Sequence, residues 1–321
     1  MRPASRVLPY EILFCMQSVP KGVYVFCDID RLSLADLERA KSWFHILKDN
    51  GATVLNDPGR FTGRLSLNQI LYEKGYNSFN VYPQHLASQA KLPVFLRSES
   101  EHEGPISDLI HDRSELGNQL KVANNKFPRR NIIIVEFLDS KEPDGRYYKY
   151  SHFRVANKLI FAGMVCGEPW CLKFAYYQGK DAIQREKDFA QSDRFNAEIM
   201  ERFNMAGIEY GRMDYAIVND RIEVFEINTN PDIGHYCQPE LKRWSVREYS
   251  YHAFNGEFYN LITESADDSS IKVPGKLNTT AIVKTFTARP RSWLHFLREW
   301  YPYFIRTHFL LTIWRASTGN K

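Results

Sequence analysis

Apolar and polar residues follow two different periods near the start of the chain, and each period predicts a different element. Residues 23–29 (VYVFCDI) form a continuous apolar run that predicts a short buried strand. The next segment repeats apolar residues at helical spacing, with Ser33 as a cap, Asp36 at the capping-box position and Gly51 as a stop. Residues 52–55 (ATVL) predict a second strand. Short connections between these elements predict a parallel α/β unit.

From there to about residue 262, strands alternate with helices, which is typical of an α+β protein. The predicted elements are a helix from Ser66 to Gly75, a strand over 92–99, a helix near 108–121, a strand over 132–139, an antiparallel pair over 146–166 that turns near Asn157, a helix over about 185–205, and a last strand pair over 211–219 and 222–228 that turns at Asn219–Asp220.

Composition predicts an ordinary globular protein of two or three domains, because 44% of the 321 residues are hydrophobic and 25% are charged. The formal net charge of +4 does not indicate a nucleic-acid partner. The sequence shows no signal peptide and no apolar stretch of the ~18–20 residues that a membrane span needs. The five cysteines include no CxxC pair, so we expect reduced thiols and a cytoplasmic location.

The segment GRMDYAIVNDRIEVFEINTNP carries the most informative chemistry. Asp214 and Glu226 supply carboxylates, and Asn228 supplies a neutral amide oxygen. Magnesium prefers oxygen ligands and is usually held by one or two carboxylates together with the phosphates of a substrate. Glu226 and Asn228 are two residues apart, so they share one face of a strand. The segment therefore predicts a magnesium site.

This metal site sets a condition on the strand register. A two-residue turn at Asn219–Asp220 pairs positions whose numbers add up to 439, whereas Asp214 and Glu226 add up to 440. A slip of one residue would send the two carboxylates to opposite faces of the sheet. We therefore expect either an odd-length loop, such as 219–221, or a bulge in one strand.

The E-x-N-x-N-P run, with the M-D-Y strand before it, resembles the metal-binding strand of the ATP-grasp superfamily. The order of elements over about residues 20–262 is similar as well. The resemblance implies an ATP-grasp fold, with an N-terminal α/β (pre-ATP-grasp) domain over 1–88, a first ATP-grasp subdomain over 89–140, and a second subdomain over 141–262 that holds the metal site.

The resemblance also implies which residues grip the phosphates of ATP. The segment LPVFLRSESEHEGP resembles the phosphate-binding strand and loop of the family, with Arg97 where lysine is common and with His102 as a further donor. The loop departs from the family because Gly104 is its one glycine. The segment SHFRVANKLIFAG…WCLKF resembles strands whose cations face the γ-phosphate and the acyl-phosphate, which gives Arg154 and Lys173 a catalytic role.

The strand IIIVEFLD resembles the one that leads into the hinge of the family and binds adenine through its backbone. By this resemblance Glu136, Phe137 and Leu138 surround the adenine, and Asp139 or Asp144 binds the ribose. Adenine needs a backbone donor and acceptor between apolar walls, which a strand end can supply.

The resemblance places weaker substrate candidates at Asn56, Asp57 and Arg60, in an L-N-D-P turn, and at Asn230 after the metal strand. An Asn-Asp-Pro-Gly segment can also form a turn for backbone reasons alone. The alternatives stay open at this point.

Most ATP-grasp enzymes are similar in reaction, which implies an ATP- and Mg-dependent ligase that joins a small carboxylic acid to an amine through an acyl-phosphate. One alternative is a phosphotransferase on the same fold. Another is a regulatory protein that binds a nucleotide without catalysis. The acid and the amine cannot be read from the sequence.

The resemblance does not extend to residues 263–321, which are a polar linker followed by an aromatic, basic segment. Trp293, Phe296, Leu297 and Trp300 fall at helical spacing, so we expect a helical tail. Such a tail is a candidate for peripheral contact with an anionic membrane surface or for packing on the protein itself or a partner subunit.

Overall fold

The structure is a computed structural model that describes residues 4–101, 104–173, 176–231, 244–265, 269–273 and 309–314. The strands of these residues are β1 (Ala4–Pro9), β2 (Ser18–Pro20), β3 (Val23–Phe26), β4 (Thr53–Leu55), β5 (Val81–Pro83), β6 (Val94–Ser98), β7 (Ile132–Glu136), β8 (Tyr147–Val155), β9 (Lys158–Gly167), β10 (Tyr210–Val218), β11 (Arg221–Asn228), β12 (Ser270–Lys272) and β13 (Phe309–Trp314). The α-helices are α1 (Tyr10–Leu13), α2 (Leu34–Asp49), α3 (Arg64–Glu73), α4 (Arg113–Lys126), α5 (Lys180–Ala190), α6 (Asn196–Ala206) and α7 (Trp244–Ser265).

The described residues form two compact units. The first unit contains the described residues up to Phe61, the short stretch Ile208–Tyr210, and those from Asn255 onward. The second contains the described residues of Thr62–Gly207 and Gly211–Phe254. The first boundary thus falls at residue 61 rather than at 88, because α3 packs against β5 and β11 of the second unit.

The first unit is built on a four-stranded sheet in the order β1-β13-β3-β4. As predicted, β3 and β4 are parallel and α2 connects them. The Ser33 side chain accepts a hydrogen bond from the N–H of Asp36 at the start of α2 (3.2 Å), and Gly51 follows its end with a φ of +80°. Trp43, which is fully buried, joins α2 to the core of this unit.

The second unit contains two sheets. The smaller sheet has the order β5-β7-β6, and the larger has the order β11-β10-β8-β9. Strands β5 and β6 each pair antiparallel with the central strand β7. Every residue of β7 is buried. The strand pair β8–β9 turns at residues 156–157, as the sequence predicts.

Several predicted helix limits in the second unit are wrong. Helix α3 begins at Arg64, after Gly63, so Ser66 lies inside the helix rather than at its start. Helix α4 begins at Arg113, where the Asp112 side chain accepts the N–H of Glu115. The helix predicted over 185–205 is two helices, because residues 191–195 (QSDRF) contain polar residues that form turns and interrupt it.

The far end of the chain also differs from the predicted helical tail. Phe309–Trp314 is a strand between β1 and β3, antiparallel to both. Its run of leucine, threonine, isoleucine and aromatic residues suits a central strand better than a surface helix. The predicted helix positions Trp293 to Trp300 lie outside the described residues. None of the described helices is both long and apolar enough to cross a membrane.

Candidate active site

A cavity of about 310 Å³ lies inside the second unit, between its two sheets. Strands β6 and β7 of the smaller sheet line one side, and β8, β10 and β11 of the larger sheet line the other. Charged side chains and aromatic side chains both contribute to the wall. Two sheets around one cavity, which follow an α/β unit in the chain, match the order of elements that the sequence predicts.

A β-bulge brings the two predicted metal carboxylates together. Near the turn the strands β10 and β11 pair in the register that a two-residue loop imposes, with Val218 opposite Arg221 and Tyr215 opposite Val224. The register then shifts by one residue, so that Asp214 pairs with Glu226. Phe225 is the extra residue of the bulge, as the register condition predicts. Because directly paired residues share a face, both carboxylates reach the cavity, which they line.

Glu226 is held by two arginine side chains. Its Oε2 atom accepts hydrogen bonds from Nη2 of Arg64 and from Nη2 of Arg97, each at 2.5 Å. The side chains of Arg64 and Glu226 are only 7% and 15% exposed. Such buried, charge-assisted pairs are much less screened by solvent than surface pairs are. One carboxylate oxygen therefore lies between two guanidinium groups.

Asp214 has a similar set of partners. Its Oδ1 accepts from Nε of Arg212 at 2.8 Å and from the hydroxyl of Ser151 at 2.9 Å. Nζ of Lys149 lies 3.4 Å from Oδ2. Each carboxylate of the pair thus faces at least two polar donors, and at least one of these donors is a cation.

The charges that line the cavity are predominantly positive. The cations are Arg64, Arg97, Lys149, Lys173 and Arg212, and the carboxylates are Glu136, Asp214 and Glu226. Five positive and three negative side chains leave a formal excess of two positive charges. A cavity of this charge favours an anion with several negative charges.

The other part of the cavity wall is aromatic. Trp170 packs against Phe95 with ring centroids 5.0 Å apart and against Phe137 at 5.9 Å. Tyr147 lies edge-on to Phe137 at 6.4 Å. Among the described residues, the N–H of Leu138 has no hydrogen-bond acceptor. A flat heteroaromatic ring between apolar walls, with one backbone donor, suits this end.

The residues predicted to surround adenine line the cavity, whereas the ribose candidate Asp139 does not. Glu136, Phe137 and Leu138 line the cavity. The Glu136 carboxylate accepts hydrogen bonds from the backbone N–H groups of Asn80 (2.9 Å) and Lys91 (2.6 Å). It thereby connects β7 to the segments on either side of β5. Asp139 is outside the lining, where it accepts from the Tyr147 hydroxyl at 3.2 Å.

Arg154 is placed away from the cavity, which does not support its predicted catalytic role. Its Nε donates to the carbonyl of Ala156 at 2.7 Å, and its Nη1 donates to Oδ1 of Asn204 at 2.8 Å. The physical reason is the alternation of β8. Its even-numbered positions 150, 152 and 154 are buried in the core, whereas Lys149 and Ser151 turn to Asp214.

The predicted metal ligand Asn228 and the substrate candidate Asn230 bond to each other at the end of β11. The Asn228 side-chain oxygen accepts the N–H of Asn230 at 2.8 Å, and neither residue lines the cavity. Among the described residues, no three His, Cys, Asp or Glu side chains cluster as a metal site. The carboxylates that the structure brings together are thus the pair Asp214 and Glu226.

The weak substrate candidates of the L-N-D-P turn belong to the first unit, and two of their side chains bond to the backbone. The Asn56 side chain is fully buried, accepts from the N–H groups of Glu209 (2.9 Å) and Tyr210 (2.8 Å), and donates to the carbonyl of Phe26 (2.9 Å). Asp57 accepts the N–H of Gly59 at 2.8 Å, as in an Asx turn. Arg60 is 65% exposed and 4.0 Å from Glu209.

Sequence reasoning missed Arg64, Lys149, Trp170 and Arg212, although two of them carried a usable signal. Lys149 and Arg212 stand two residues from Ser151 and Asp214 on the same strands, and that spacing places them on the cavity face. Arg64 begins a helix far away in the sequence, and nothing near it marks its contact with Glu226. The prediction for His102 lies outside the described residues.

Comparison with known proteins finds similarity of structure but not of sequence. No family model matches the chain, and no curated protein matches it. A D-alanine–D-alanine ligase from Bacillus anthracis, solved with ATP, is 14% identical, with 71% of this chain and 75% of that chain covered and a TM-score of 0.41. The VanG D-Ala:D-Ser ligase from Enterococcus faecalis is 12% identical, with 70% and 69% covered and a TM-score of 0.44.

An N5-carboxyaminoimidazole synthase from Aspergillus clavatus, solved with ADP and 5-aminoimidazole ribonucleotide, is also similar in structure. It is 12% identical, with 68% of this chain and 57% of that chain covered and a TM-score of 0.39. At such values the similarity says nothing about the reaction of this chain, which has to be inferred from the side chains of the cavity.

Proposed function

We propose that the second unit binds ATP together with magnesium and uses it to join a small carboxylic acid to an amine. The observation that carries this proposal is the pairing of Asp214 with Glu226 across a bulge. The pair lies among five cations, in a cavity whose remaining wall is apolar and aromatic. Few ligands need a divalent cation, several anionic groups and a flat apolar ring at once, and MgATP is the most common of them.

Asp214 and Glu226 fit a magnesium ion that is held mainly by phosphate oxygens and water. Magnesium keeps several waters and needs only one or two protein carboxylates. Both carboxylates line one cavity and come from directly paired positions. A bound magnesium ion would neutralise charge on the phosphates during transfer.

The phosphate oxygens would then meet the cations of the cavity. Arg97 and Arg212 offer guanidinium groups that can bind a phosphate with two hydrogen bonds. Lys149 and Lys173 add compact ammonium charges on the same wall. Their charge offsets the charge that develops on the transferred phosphoryl group.

At the other end of the cavity, the base would lie among Phe95, Phe137 and Trp170. The N–H of Leu138 can donate a hydrogen bond to a ring nitrogen of the base. This end holds the nucleotide in place, so that its last phosphate reaches the acid substrate in one orientation.

The reaction we propose has two steps, and the protein supplies no nucleophile. An oxygen of the substrate carboxylate attacks the γ-phosphorus, which releases ADP and forms an acyl-phosphate. The amine then attacks the acyl carbon, and phosphate leaves as the amide forms. Cys171 lines the cavity, but burial raises the pKa of its thiol, which keeps it protonated and poorly nucleophilic.

Calorimetry of ATP binding, with and without magnesium, tests the proposed site. In Glu226→Gln we expect the Mg-dependent affinity for ATP to fall by at least about tenfold, because one metal ligand loses its charge. Without magnesium the same variant should bind ATP as well as wild type or better, since a negative charge near the phosphates is gone. The control is Glu73→Gln, an exposed position on α3 that should behave as wild type.

The metal site would be contradicted if wild type bound ATP equally well with and without magnesium. It would also be contradicted if Glu226→Gln lost the same amount of ATP affinity under both conditions. If the site holds, a screen of acids and amines for ADP release follows. Amide product identifies a ligase, phosphorylation of a hydroxyl or amine identifies a phosphotransferase, and MgATP binding without turnover identifies a non-catalytic binding protein.

A further inference from the structure

Arg64 joins three parts of the second unit that are far apart in the sequence. It is the first residue of α3, and its side chain is only 7% exposed. Its Nη1 donates to the carbonyl oxygens of Ser98 (2.8 Å), Glu99 (2.5 Å) and Glu101 (3.2 Å). Its Nη2 donates to Oε2 of Glu226 at 2.5 Å. One guanidinium group thus connects a chain segment after β6 with a carboxylate on β11.

The segment 98–101 begins a loop that returns to the sheet where Arg97 forms a bridge with Pro105. Arg97, Gly104 and Pro105 line the cavity at the two ends of this loop. Gly104 has a φ of +94°, and a Cβ added to it would lie 2.7 Å from Cε of Lys173. The described residues at both ends of this loop therefore lie close to cations of the cavity.

We propose that Arg64 is a positioning residue that fixes the segment 98–101 against Glu226. The inference rests on the proposed function, because it makes Arg64 set the shape of the phosphate end of that site. Three backbone carbonyls that converge on one side chain need a donor with several N–H groups in a fixed fork, which arginine has. The Nη1 group is committed to those carbonyls and Nη2 to Glu226, so Arg64 acts through the loop and the carboxylate.

This role differs from direct phosphate binding in what a lysine should do. Lysine keeps the positive charge beside Glu226 but cannot span the carbonyls and the carboxylate together. If Arg64 positions the loop, Arg64→Lys should resemble Arg64→Gln. If Arg64 only supplies charge to a phosphate, Arg64→Lys should resemble wild type.

Hydrogen exchange of the nucleotide-free protein tests this directly. The amide of Glu99, bonded to the carbonyl of Asn131, and the amide of Ile106, bonded to the carbonyl of Leu96, report on the two limbs of the loop. We expect both Arg64 variants to exchange these amides about tenfold faster, the effect of losing a hydrogen bond from a charged group. ATP affinity should fall in both variants to a similar extent.

The matched control is Arg113→Lys. Arg113 also binds backbone carbonyls with one guanidinium group, those of Ala87 and Ala90, but it does not line the cavity. Its variant should leave the exchange of Glu99 and Ile106 unchanged. This control separates the loss of one carbonyl-binding arginine in general from the loss of Arg64.

Unchanged exchange at Glu99 and Ile106 in Arg64→Lys would overturn the proposal, and so would wild-type ATP affinity in that variant. Should Arg64→Gln fail to fold, Arg64→Lys alone decides the question. Because the exchange is measured without nucleotide, a failure of the protein to bind ATP would count against the proposed function and leave the result on Arg64 intact.

Discussion

His152 shows how strongly the core of the second unit controls a single titratable side chain. It is 3% exposed, and its ring lies 5.2 Å from that of Phe161 and 5.9 Å from that of Tyr215. Its Nδ1 shares a hydrogen bond of 3.1 Å with the Tyr215 hydroxyl. Burial lowers the pKa of His152 from 6.5 to about 3, because the charged ring would lose its hydration.

This pKa shift predicts a loss of stability in mild acid. Below pH 6.5 His152 is protonated in the unfolded chain, whereas in the folded chain it stays neutral down to about pH 3. The contribution of this group is therefore complete above pH 6.5 and falls as the pH decreases. Between pH 7.5 and pH 5.5 the free energy of unfolding should drop by about 1 kcal/mol through this residue.

Urea unfolding of wild type and His152→Gln at the two pH values measures this effect. The difference in unfolding free energy between the two proteins should shrink by about 1 kcal/mol at pH 5.5. Between pH 7.5 and pH 8.5 the difference should stay constant, which serves as the internal control. A difference that is the same at pH 5.5 and 7.5 would contradict the assignment.

At the same scale, the sequence identified the residues whose chemistry shows in a local pattern. Asp214 and Glu226 could be found because a strand pair and a two-residue turn fix which positions can meet. Arg154 was misplaced because periodicity gives two faces to a strand and does not say which face meets the site. Arg64 could not be found, because its partners lie 34 and 162 residues away.

At the scale of elements, the hairpin β10–β11 sets the register on which the site depends. Asn219 and Asp220 both adopt positive φ values, +49° and +64°. Two such residues in succession form the turn that suits the twist of a two-residue hairpin. The turn therefore fixes the pairing near its end, and the bulge at Phe225 then offsets it by one residue.

The conformation of Asp220 predicts opposite effects for two substitutions. Glycine tolerates a left-handed backbone without a Cβ clash, so Asp220→Gly should raise the free energy of unfolding by roughly 0.5–1 kcal/mol. Valine is strained there, so Asp220→Val should lower it by roughly 1–2 kcal/mol. Chemical denaturation of both variants against wild type gives these values.

Asp220 also forms an exposed ion pair with Arg194, which both substitutions remove. Arg194→Gln removes the pair alone, and we expect it to change stability by less than about 0.5 kcal/mol. A loss in Asp220→Gly larger than in Arg194→Gln would show that the turn conformation is not what limits stability here.

Several elements were predictable because a local signal marks them. The cap at Ser33, the stop at Gly51 and the turn at Asn219–Asp220 are confirmed, and each depends on a few adjacent residues. The strands β1 and β13 were missed because Ala4–Pro9 pairs with Phe309–Trp314, across nearly the whole chain. Neither segment carries a local pattern that identifies the strand with which it pairs.

At the scale of the whole molecule, the overall charge says little about the ligand, whereas its distribution says more. The net charge of +4 arises from 80 charged side chains and gives no strong field around the protein. The cavity concentrates five cations and three carboxylates in about 310 Å³. Composition could not reveal this concentration, because it follows from folding seven separate chain segments around one space.

The local charge predicts that salt should weaken the binding of nucleotides in proportion to their phosphates. In magnesium-free buffer, raising KCl from 50 to 500 mM should reduce ATP affinity by about tenfold, because screening weakens its attraction to the cations. Adenosine, which would use only the aromatic end, should bind equally at both salt concentrations.

Lys149→Gln should lower ATP affinity at 50 mM KCl and reduce the salt effect, whereas Lys187→Gln, an exposed position on α5, should do neither. Salt dependence that is equal for ATP and adenosine would mean that the cations of the cavity do not face the phosphates, and the orientation of the nucleotide proposed above would then have to be reversed.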